Sequence, residues 1–429
     1  MTAGTVVLAD VAVVGGGPAG AAAAICLARA GRDVVLIDKA TFPRDKICGD
    51  GLTTGALRLY EELGLDPSAV PSWQPVEDVV VVSPSGREAT FPLPRGAGTY
   101  AAVARRADLD AALLDVARAA GTRVLEGHAV TGAEERVDRV VLDVEGIGTV
   151  QARYAIAADG MWSPMRKHLG VATPGYLGEW HAFRQYFTNV GPRAAQDLFV
   201  WFEPDLLPGY AWSFPLPDGG ANVGFGIQRC DEEREGKVTK VRDMKDVWPD
   251  LLARPHIRDV LGPDAVPESP HKAWPIPARI NDIVLTAERT LFVGDAAAAT
   301  DPMTGEGIGQ ALLTGILAAR AIEDGATDAA RVTAVYRGTT LAALEADHKM
   351  SMFLIRALRH RKGARAAVRI AGVSRWTRQN FARWLFEDYP RALVVTPRRW
   401  RRGMWSGPGA YRRRPTVRGP RLDRPVKRA

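Results

Sequence analysis

Gly15-Gly16-Gly17-Pro18-Ala19-Gly20 stands between an uninterrupted apolar run, Val11–Val14, and an alanine-rich stretch, Pro18–Ala30, that stops at Gly31. An all-apolar run predicts a strand buried on both faces, as parallel sheets require. With the second apolar run, Val34–Ile37, the order strand, glycine turn, helix, strand is a βαβ unit. Gly15 permits the tight turn, Gly17 lets backbone amides approach a pyrophosphate, and Gly20 lets the helix pack close to the sheet. Pro18 and Ala19 open that helix, whose N-terminus offers amides and partial positive charge to phosphates. Asp38 ends the second strand, 23 residues after Gly15, followed by Lys39. A carboxylate there accepts from a ribose hydroxyl and argues against a 2′-phosphate. The unit therefore predicts an α/β fold with a dinucleotide site.

No internal repeat follows. With 429 residues the chain has room for two to four domains. Pro84-Ser85-Gly86 separates Asp78–Val82 from Glu88–Leu93, which predicts a hairpin. Leu109–Ala119 reads as helix, and Arg123–Glu126, Val137–Val144 and Thr149–Ala157 read as strands. Residues 176–228 alternate aromatic and polar side chains, and alternation puts Tyr210, Trp212 and Phe214 on one strand face. The charged segment 231–260 reads as helical, Leu291–Val293 as a buried strand and Gly307–Glu323 as a helix. Beyond Thr333 the chain reads as helical before fading into a tail expected to be disordered.

Charge divides the chain unevenly. From Met350 to Ala429 there are 22 lysines and arginines against three acids, a net +19, while the first 349 residues carry −12. A basic tail suits anionic lipid, an acidic partner or nucleic acid; no recognised binding motif accompanies it, so nucleic acid is not expected. Trp376, Phe381, Trp384 and Leu385 have the spacing of one helical stripe. With Trp400 and Trp405 they interleave with Arg375, Arg378, Arg383, Arg398, Arg399, Arg401 and Arg402, a pattern suited to an anionic membrane surface. The same stripe could pack on the body. No stretch reads as a spanning helix and no positive n-region opens the chain, so the expectation is cytoplasmic, with peripheral attachment to the cytoplasmic membrane face. Cys26, Cys48 and Cys230 are too far apart for a CxxC site or a disulfide scaffold. The histidines show no ligand spacing, so no metal is expected.

Two further motifs choose FAD. Ala158-Asp159-Gly160 follows an apolar strand, and Gly294-Asp295-Ala296 precedes Asp301-Pro302-Met303-Thr304-Gly305-Glu306-Gly307-Ile308 at the start of a helix. Here the chain resembles the flavoproteins built like p-hydroxybenzoate hydroxylase. The resemblance implies that Asp295 holds the ribityl chain and that the amides of Gly305 to Ile308, Gly307 among them, face the pyrimidine edge of the flavin. A helix N-terminus there stabilises the negative charge of the reduced ring. It also implies that Asp159 ties the fold near the cofactor phosphates and that Arg106 touches FAD, with neighbouring Arg105 as the alternative.

Phe42-Pro43-Arg44-Asp45-Lys46-Ile47-Cys48-Gly49-Asp50-Gly51-Leu52, Pro208 to Pro215, Ala221 to Gly226 and Thr304 to Gly307 resemble the geranylgeranyl reductase family. Asn380 to Pro390 resembles its actinobacterial members close to menaquinone reductase. The resemblance implies an FAD-dependent oxidoreductase that saturates an isoprenoid double bond by hydride transfer from reduced flavin. Menaquinone, geranylgeranyl diphosphate or a prenyl lipid would be substrate, and an external electron donor of unassigned identity would supply the reductant. Cys48 would place the alkene, and Tyr210, Trp212 and Phe214 would wall the chain; either group could equally be core packing. Glu306 would support its loop or a proton path. An FAD-dependent aromatic hydroxylase is the alternative. A flavin-dependent halogenase fits less, because Tyr210-Ala211-Trp212-Ser213-Phe214-Pro215 departs from the Trp-x-Trp-x-Ile-Pro motif at its first and fifth positions.

The expected architecture is α/β. A discontinuous Rossmann-like FAD domain of the p-hydroxybenzoate hydroxylase and glutathione reductase type takes residues 1–75, 100–170 and 275–345. An inserted mixed-sheet substrate domain takes 76–99 and 171–274. A C-terminal helical extension takes 346–410, and the basic tail 411–429.

Overall fold

A computed structural model describes residues 6–229, 244–400 and 404–412. Cys230, Arg401, Arg402, the start of the charged segment and most of the basic tail lie outside the described residues.

The opening βαβ unit nucleates the first sheet. Val6–Val14 pairs parallel with Val34–Asp38 on one side and with Gly148–Ala157 on the other. Arg123–Glu126 extends one edge in parallel and Thr290–Phe292 pairs parallel with Gly148–Ala157. Val140–Val144 and Val130–Glu135 continue the sheet antiparallel. All five residues of Val34–Asp38 are buried, as a strand covered on both faces must be. The helix Pro18–Arg29 lies against this sheet with its alanines buried.

Register decides where the motifs meet. Val14 lies opposite Ile37 and Ala157, and Ala157 lies opposite Phe292. Gly15, Asp38, Asp159 and Asp295 therefore emerge side by side from the carboxyl ends of parallel strands, where open α/β sheets bind ligands.

The second sheet runs Val266–Pro267, Trp180–Thr188, Gly220–Gln228, Tyr210–Leu216, Leu198–Trp201, Asp78–Val82, Glu88–Pro92, with Lys272–Ile276 also paired to Trp180–Thr188. It is mixed: Leu198–Trp201 pairs parallel with Asp78–Val82, the other pairs are antiparallel. One face packs Phe183, Phe225 and Trp201 against the helices Met244–Ala253 and Pro255–Leu261. The other face carries Tyr210 and Phe214 and meets the C-terminal helices through Val368, Ala371, Phe381 and Phe386.

Those helices are Ala329–Leu358, Arg361–Ala371 and Arg375–Leu385. The last is started by Ser374, whose hydroxyl accepts from the Thr377 amide at 3.1 Å. Several sequence expectations shift. The helix expected from Leu109 starts at Arg106, and an edge strand, Val130–Glu135, was unforeseen because its polar sequence lacks a buried alternation. Tyr411, assigned to the tail, instead packs edge-on against Trp73, and Ala410 bridges to Thr99. The aromatic stripe splits. Phe381 packs on Phe91 with ring centres 5.0 Å apart, whereas Trp376 stays exposed beside Trp405. Arg383 and Arg399, read as headgroup partners, pair with Asp388 and Asp347 instead. Among the described residues no helix is long and apolar enough to cross a membrane.

Candidate active site

A cavity of about 880 Å³ runs from the carboxyl edge of the first sheet, between the two sheets, to the C-terminal helices. That volume is at the upper end for a small-molecule or cofactor site. At the end beside the glycine turn lie Gly15, Gly17, Pro18, Ala19, Asp38, Lys39, Asp159 and Asp295. Gly20 lies behind this rim, in the helix: a Cβ there would sit 1.9 Å from the Gly15 carbonyl oxygen. Gly15 has a φ of +108°, and a Cβ on it would sit 2.3 Å from the Ala158 oxygen. The glycines thus set a backbone approach that no side chain permits.

The donor set fits FAD. Gly17 is the N-cap of Pro18–Arg29 and no side chain caps that helix, so its first amides are left for an anion. Asp38 accepts from the amides of Gly16 at 2.7 Å and Ala40 at 2.8 Å, which fixes its carboxylate beside the glycine turn. Asp159 accepts from the Met165 amide at 2.8 Å, while its Oδ1 is buried without a partner. Burial pushes the Asp159 carboxyl up. Arg106 lines the cavity and is buried, gripping Asp110 with two bonds of 2.8 and 2.7 Å. Arg105 turns away to Glu268. The helix phase, which sequence left open, puts Arg106 inside.

Gly294 and Asp295 form a tight turn after Thr290–Phe292, and the Gly294 amide donates to Thr314 at 2.9 Å. The loop that follows is stapled by Asp301. Its Oδ1 accepts from the amides of Met303 and Thr304 and from the Thr304 hydroxyl, and its Oδ2 from Ser351. Gly305, Gly307 and Ile308 line the cavity at the start of Ile308–Gly325. Glu306 is buried and accepts from the Gly309 amide at 2.6 Å. Glu387, from the C-terminal extension, accepts from Gln310 at 3.0 Å. Burial pushes both carboxyls well above the ordinary glutamate value, against the opposing charge of Arg391. Glu387 stood in the Asn380 to Pro390 run without a role and Arg391 just beyond it; both arrive from the far end of the chain.

Tyr210, Trp212 and Phe214 line the cavity in a row, successive ring centres 6.0 Å apart. Tyr210 donates its hydroxyl to the Thr304 carbonyl, tying this wall to the cofactor-side loop. Facing the wall is the segment Cys48–Gly51; a Cβ on Gly51 would come within 3.1 Å of the Phe214 ring. Burial pushes the Cys48 thiol up, so Cys48 is a neutral thiol rather than a nucleophile. Asn222 ties the two sides. Its Nδ2 donates to the Cys48 carbonyl at 2.8 Å and its Oδ1 accepts from Trp212 Nε1 at 3.1 Å. Lys46 sits 3.9 Å above the Trp274 ring, and burial pushes its ammonium down. Lys46 and Asn222 stood in the motifs without a role, because their neighbours are remote in sequence.

The far end of the cavity is apolar: Leu354, Ala357, Val368, Phe381, Trp384 and Leu385 line it. Among the described residues no group of three or more His, Cys, Asp or Glu could hold a metal. One polar cradle thus opens into a long apolar slot, an arrangement that can hold a dinucleotide at one end and a greasy chain at the other.

Comparison with known proteins agrees. Residues 8–314 match a family described as FAD binding domain. The chain is 35% identical over 329 residues to menaquinone reductase of Mycobacterium tuberculosis, covering 73% of this chain and 76% of that one. It is 32% identical over 338 residues to digeranylgeranylglycerophospholipid reductase 2 of Methanopyrus kandleri, covering 75% and 79%. Among solved structures, a geranylgeranyl bacteriochlorophyll reductase-like protein of Thermoplasma acidophilum superposes with a TM-score of 0.74 at 22% identity, over 92% of this chain and 100% of that one.

Proposed function

The chain belongs to the geranylgeranyl reductase family of FAD-binding proteins, and from that premise we propose that it is an FAD-dependent oxidoreductase saturating a carbon–carbon double bond of an isoprenoid chain, the menaquinone side chain first among the candidates. The observation that carries this reading is the single cavity that joins the glycine cradle to the apolar slot under the C-terminal helices. Gly15, Gly17, Pro18, Ala19, Asp38, Arg106, Asp159 and Asp295 would hold the cofactor, with the amides of Gly305 to Ile308 at its ring. When bound and reduced, FAD supplies hydride.

The chain's own residues do the rest. An unactivated alkene is a poor hydride acceptor, so orientation must supply much of the rate. Tyr210, Trp212 and Phe214 offer a flat apolar wall for the chain, and Asn222 and Tyr210 lock that wall to the two loops beside it. Phe381, Trp384 and Leu385 close the slot and exclude water. Cys48 lies across from the wall as a neutral, polarisable contact.

The test is anaerobic. The purified protein, its flavin reduced with dithionite, is given menaquinone with an unsaturated side chain, and mass spectrometry follows the side chain apart from the quinone ring. A gain of two hydrogens on the chain is expected. With FAD bound and reducible but no gain on menaquinone or other prenyl substrates, the reading fails, and oxygen insertion in an aerobic screen would favour the hydroxylase.

We also infer that the C-terminal helices dock on an anionic membrane, from which the substrate chain enters. Ile370, Val373 and Trp376 are exposed by 68, 75 and 65%, and Ile370 also lines the cavity. Arg361, Lys362, Arg365, Arg369 and Arg375 flank them, a pairing suited to headgroups. Replacing Ile370 and Trp376 by serine should cut co-sedimentation with phosphatidylglycerol vesicles by roughly tenfold, since two large apolar contacts are lost, with FAD retained. Unchanged co-sedimentation would retire the docking surface. The reducing equivalents come from an external donor.

A further inference from the structure

The segment between the second strand and the helix Thr54–Leu63 holds a carboxyl that the cofactor cradle leaves unused. Asp50 is completely buried at the cavity edge, with a φ of +64°. A non-glycine residue in that region is strained, and strain of this kind collects at functional sites. Its Oδ2 accepts from the Tyr186 hydroxyl at 2.6 Å and from Asn222 Nδ2 at 2.9 Å. Its Oδ1 is buried with no partner. A buried oxygen without a partner costs far more as part of a charged carboxylate than as part of a neutral carboxyl.

The charged groups around it stand one step away. Arg184 and Arg105 lie over the Tyr186 ring, 4.0 and 4.4 Å from its centre. Arg184 is itself drawn to Asp45 at 2.6 Å, and Asp45 also holds Lys272. Arg106 is committed to Asp110. Among the described residues no cation forms an ion pair with Asp50. Burial pushes its carboxyl up to about 6, against the hydrogen bonds of Tyr186 and Asn222 and the charges of Arg184 and Arg106. An acid poised near the working pH can both give up and regain its proton.

We propose that Asp50 is the acid that protonates the alkene, with Tyr186 as its positioning residue; the assignment rests on the reductase reading above. As the π bond breaks, one carbon would take hydride, with both electrons, which the bound, reduced cofactor would supply, and the other takes the Asp50 proton. The Asp50 O–H bond breaks and leaves a carboxylate. Tyr186 and Asn222 already donate to that carboxylate, and water restores the proton after turnover. Asn222 makes the donor and the wall one unit, because it bonds Asp50, the Cys48 carbonyl and Trp212 together.

Asp50→Asn separates this from a clamping role. It keeps an oxygen for Tyr186 and Asn222 and has no acidic proton. FAD-loaded, dithionite-reduced D50N given unsaturated menaquinone in detergent micelles should saturate the chain ~10²–10⁴-fold more slowly than wild type, with FAD bound as before. Apart from turnover, infrared difference titration of the protein should show a protonated-carboxyl band that titrates near pH 6 and is missing from D50N. Tyr186→Phe should move that titration to higher pH, because the hydrogen bond it removes favours the carboxylate. In wild type the saturation rate should fall as pH rises through the midpoint. D50N within threefold of wild type, a titration without an Asp50 band, or a flat wild-type rate from about pH 5 to about pH 9 overturns the assignment. Should D50N not fold, the wild-type profile still decides. A wild type that binds and reduces FAD, shows the band and saturates no prenyl chain instead overturns the reductase reading, and this assignment with it.

Discussion

Gly17→Val is expected to purify folded and colourless. Gly17 has φ −72° and ψ −176°, an extended conformation that valine adopts readily. A Cβ at this position meets only an Arg44 guanidinium nitrogen, at 3.6 Å, so the fold has room for the first carbon of the new side chain. The methyls would then stand over the uncapped first turn of Pro18–Arg29, where we propose that the pyrophosphate approaches the amides. Binding of FAD should weaken by more than ~1,000-fold, about 4 kcal/mol. Flavin absorbance per protein, measured after desalting beside circular dichroism, reads both consequences. Gly20→Val is the contrasting control. Its Cβ would lie 1.9 Å from a backbone oxygen, so that variant should lose the fold itself. A yellow, FAD-retaining G17V would remove the cofactor from this cradle.

Arg383→Met should cost about 3–5 kcal/mol, the usual loss when one partner of a buried ion pair is removed. Arg383 is 3% exposed and bonds Asp388 at 2.5 Å. It also donates to the carbonyls of Met404, Trp405 and Gly407, so one guanidinium ties residues 404–407 to Arg375–Leu385. Methionine would replace the apolar stem and leave Asp388 with Arg58 alone, a side chain 40% exposed. The Met404 and Trp405 carbonyls would lose the Arg383 donor, and Gly407 would keep the Tyr100 hydroxyl. Lysine should rescue little, because a single ammonium cannot serve a carboxylate and three carbonyls at fixed angles. The C-terminal segment should loosen first, since it depends on this residue and also shapes the slot through Phe381, Trp384 and Leu385. Limited proteolysis and thermal melting would report it. Cleavage at the wild-type rate and an unchanged melting temperature would show that the C-terminus is held by other contacts.

The two predictions act on opposite ends of one cavity, and the ends were unequally legible in the sequence. The nucleotide end is local. Val11–Val14, the glycines, Pro18–Ala30 and Val34–Asp38 are consecutive, each with a period or a backbone demand that only one structure meets. The same holds for the hairpin around Pro84-Ser85-Gly86, which forms as an antiparallel pair. Alternation also put Tyr210, Trp212 and Phe214 on one face, because strand geometry has a period of two.

The substrate end is not local. Periodicity assigns Trp376, Phe381, Trp384 and Leu385 an apolar face but not a partner for it. Only packing sends three of them into the slot and leaves Trp376 outside. Whether Arg105 or Arg106 turns inward depends on where the helix begins, and helix ends are the weakest feature of a sequence pattern. Asp50 is the clearest case. Its neighbours Tyr186 and Asn222 lie 136 and 172 residues away. The sequence by itself determined a parallel βαβ core, a glycine turn that opens an uncapped helix, and the family, since hydrophobic period and glycine geometry act between near neighbours. Tertiary structure alone decided which carboxyl is buried without a counter-ion, which arginine lines the cavity and what covers the slot, because burial and charge pairing are properties of contacts between segments distant in the chain.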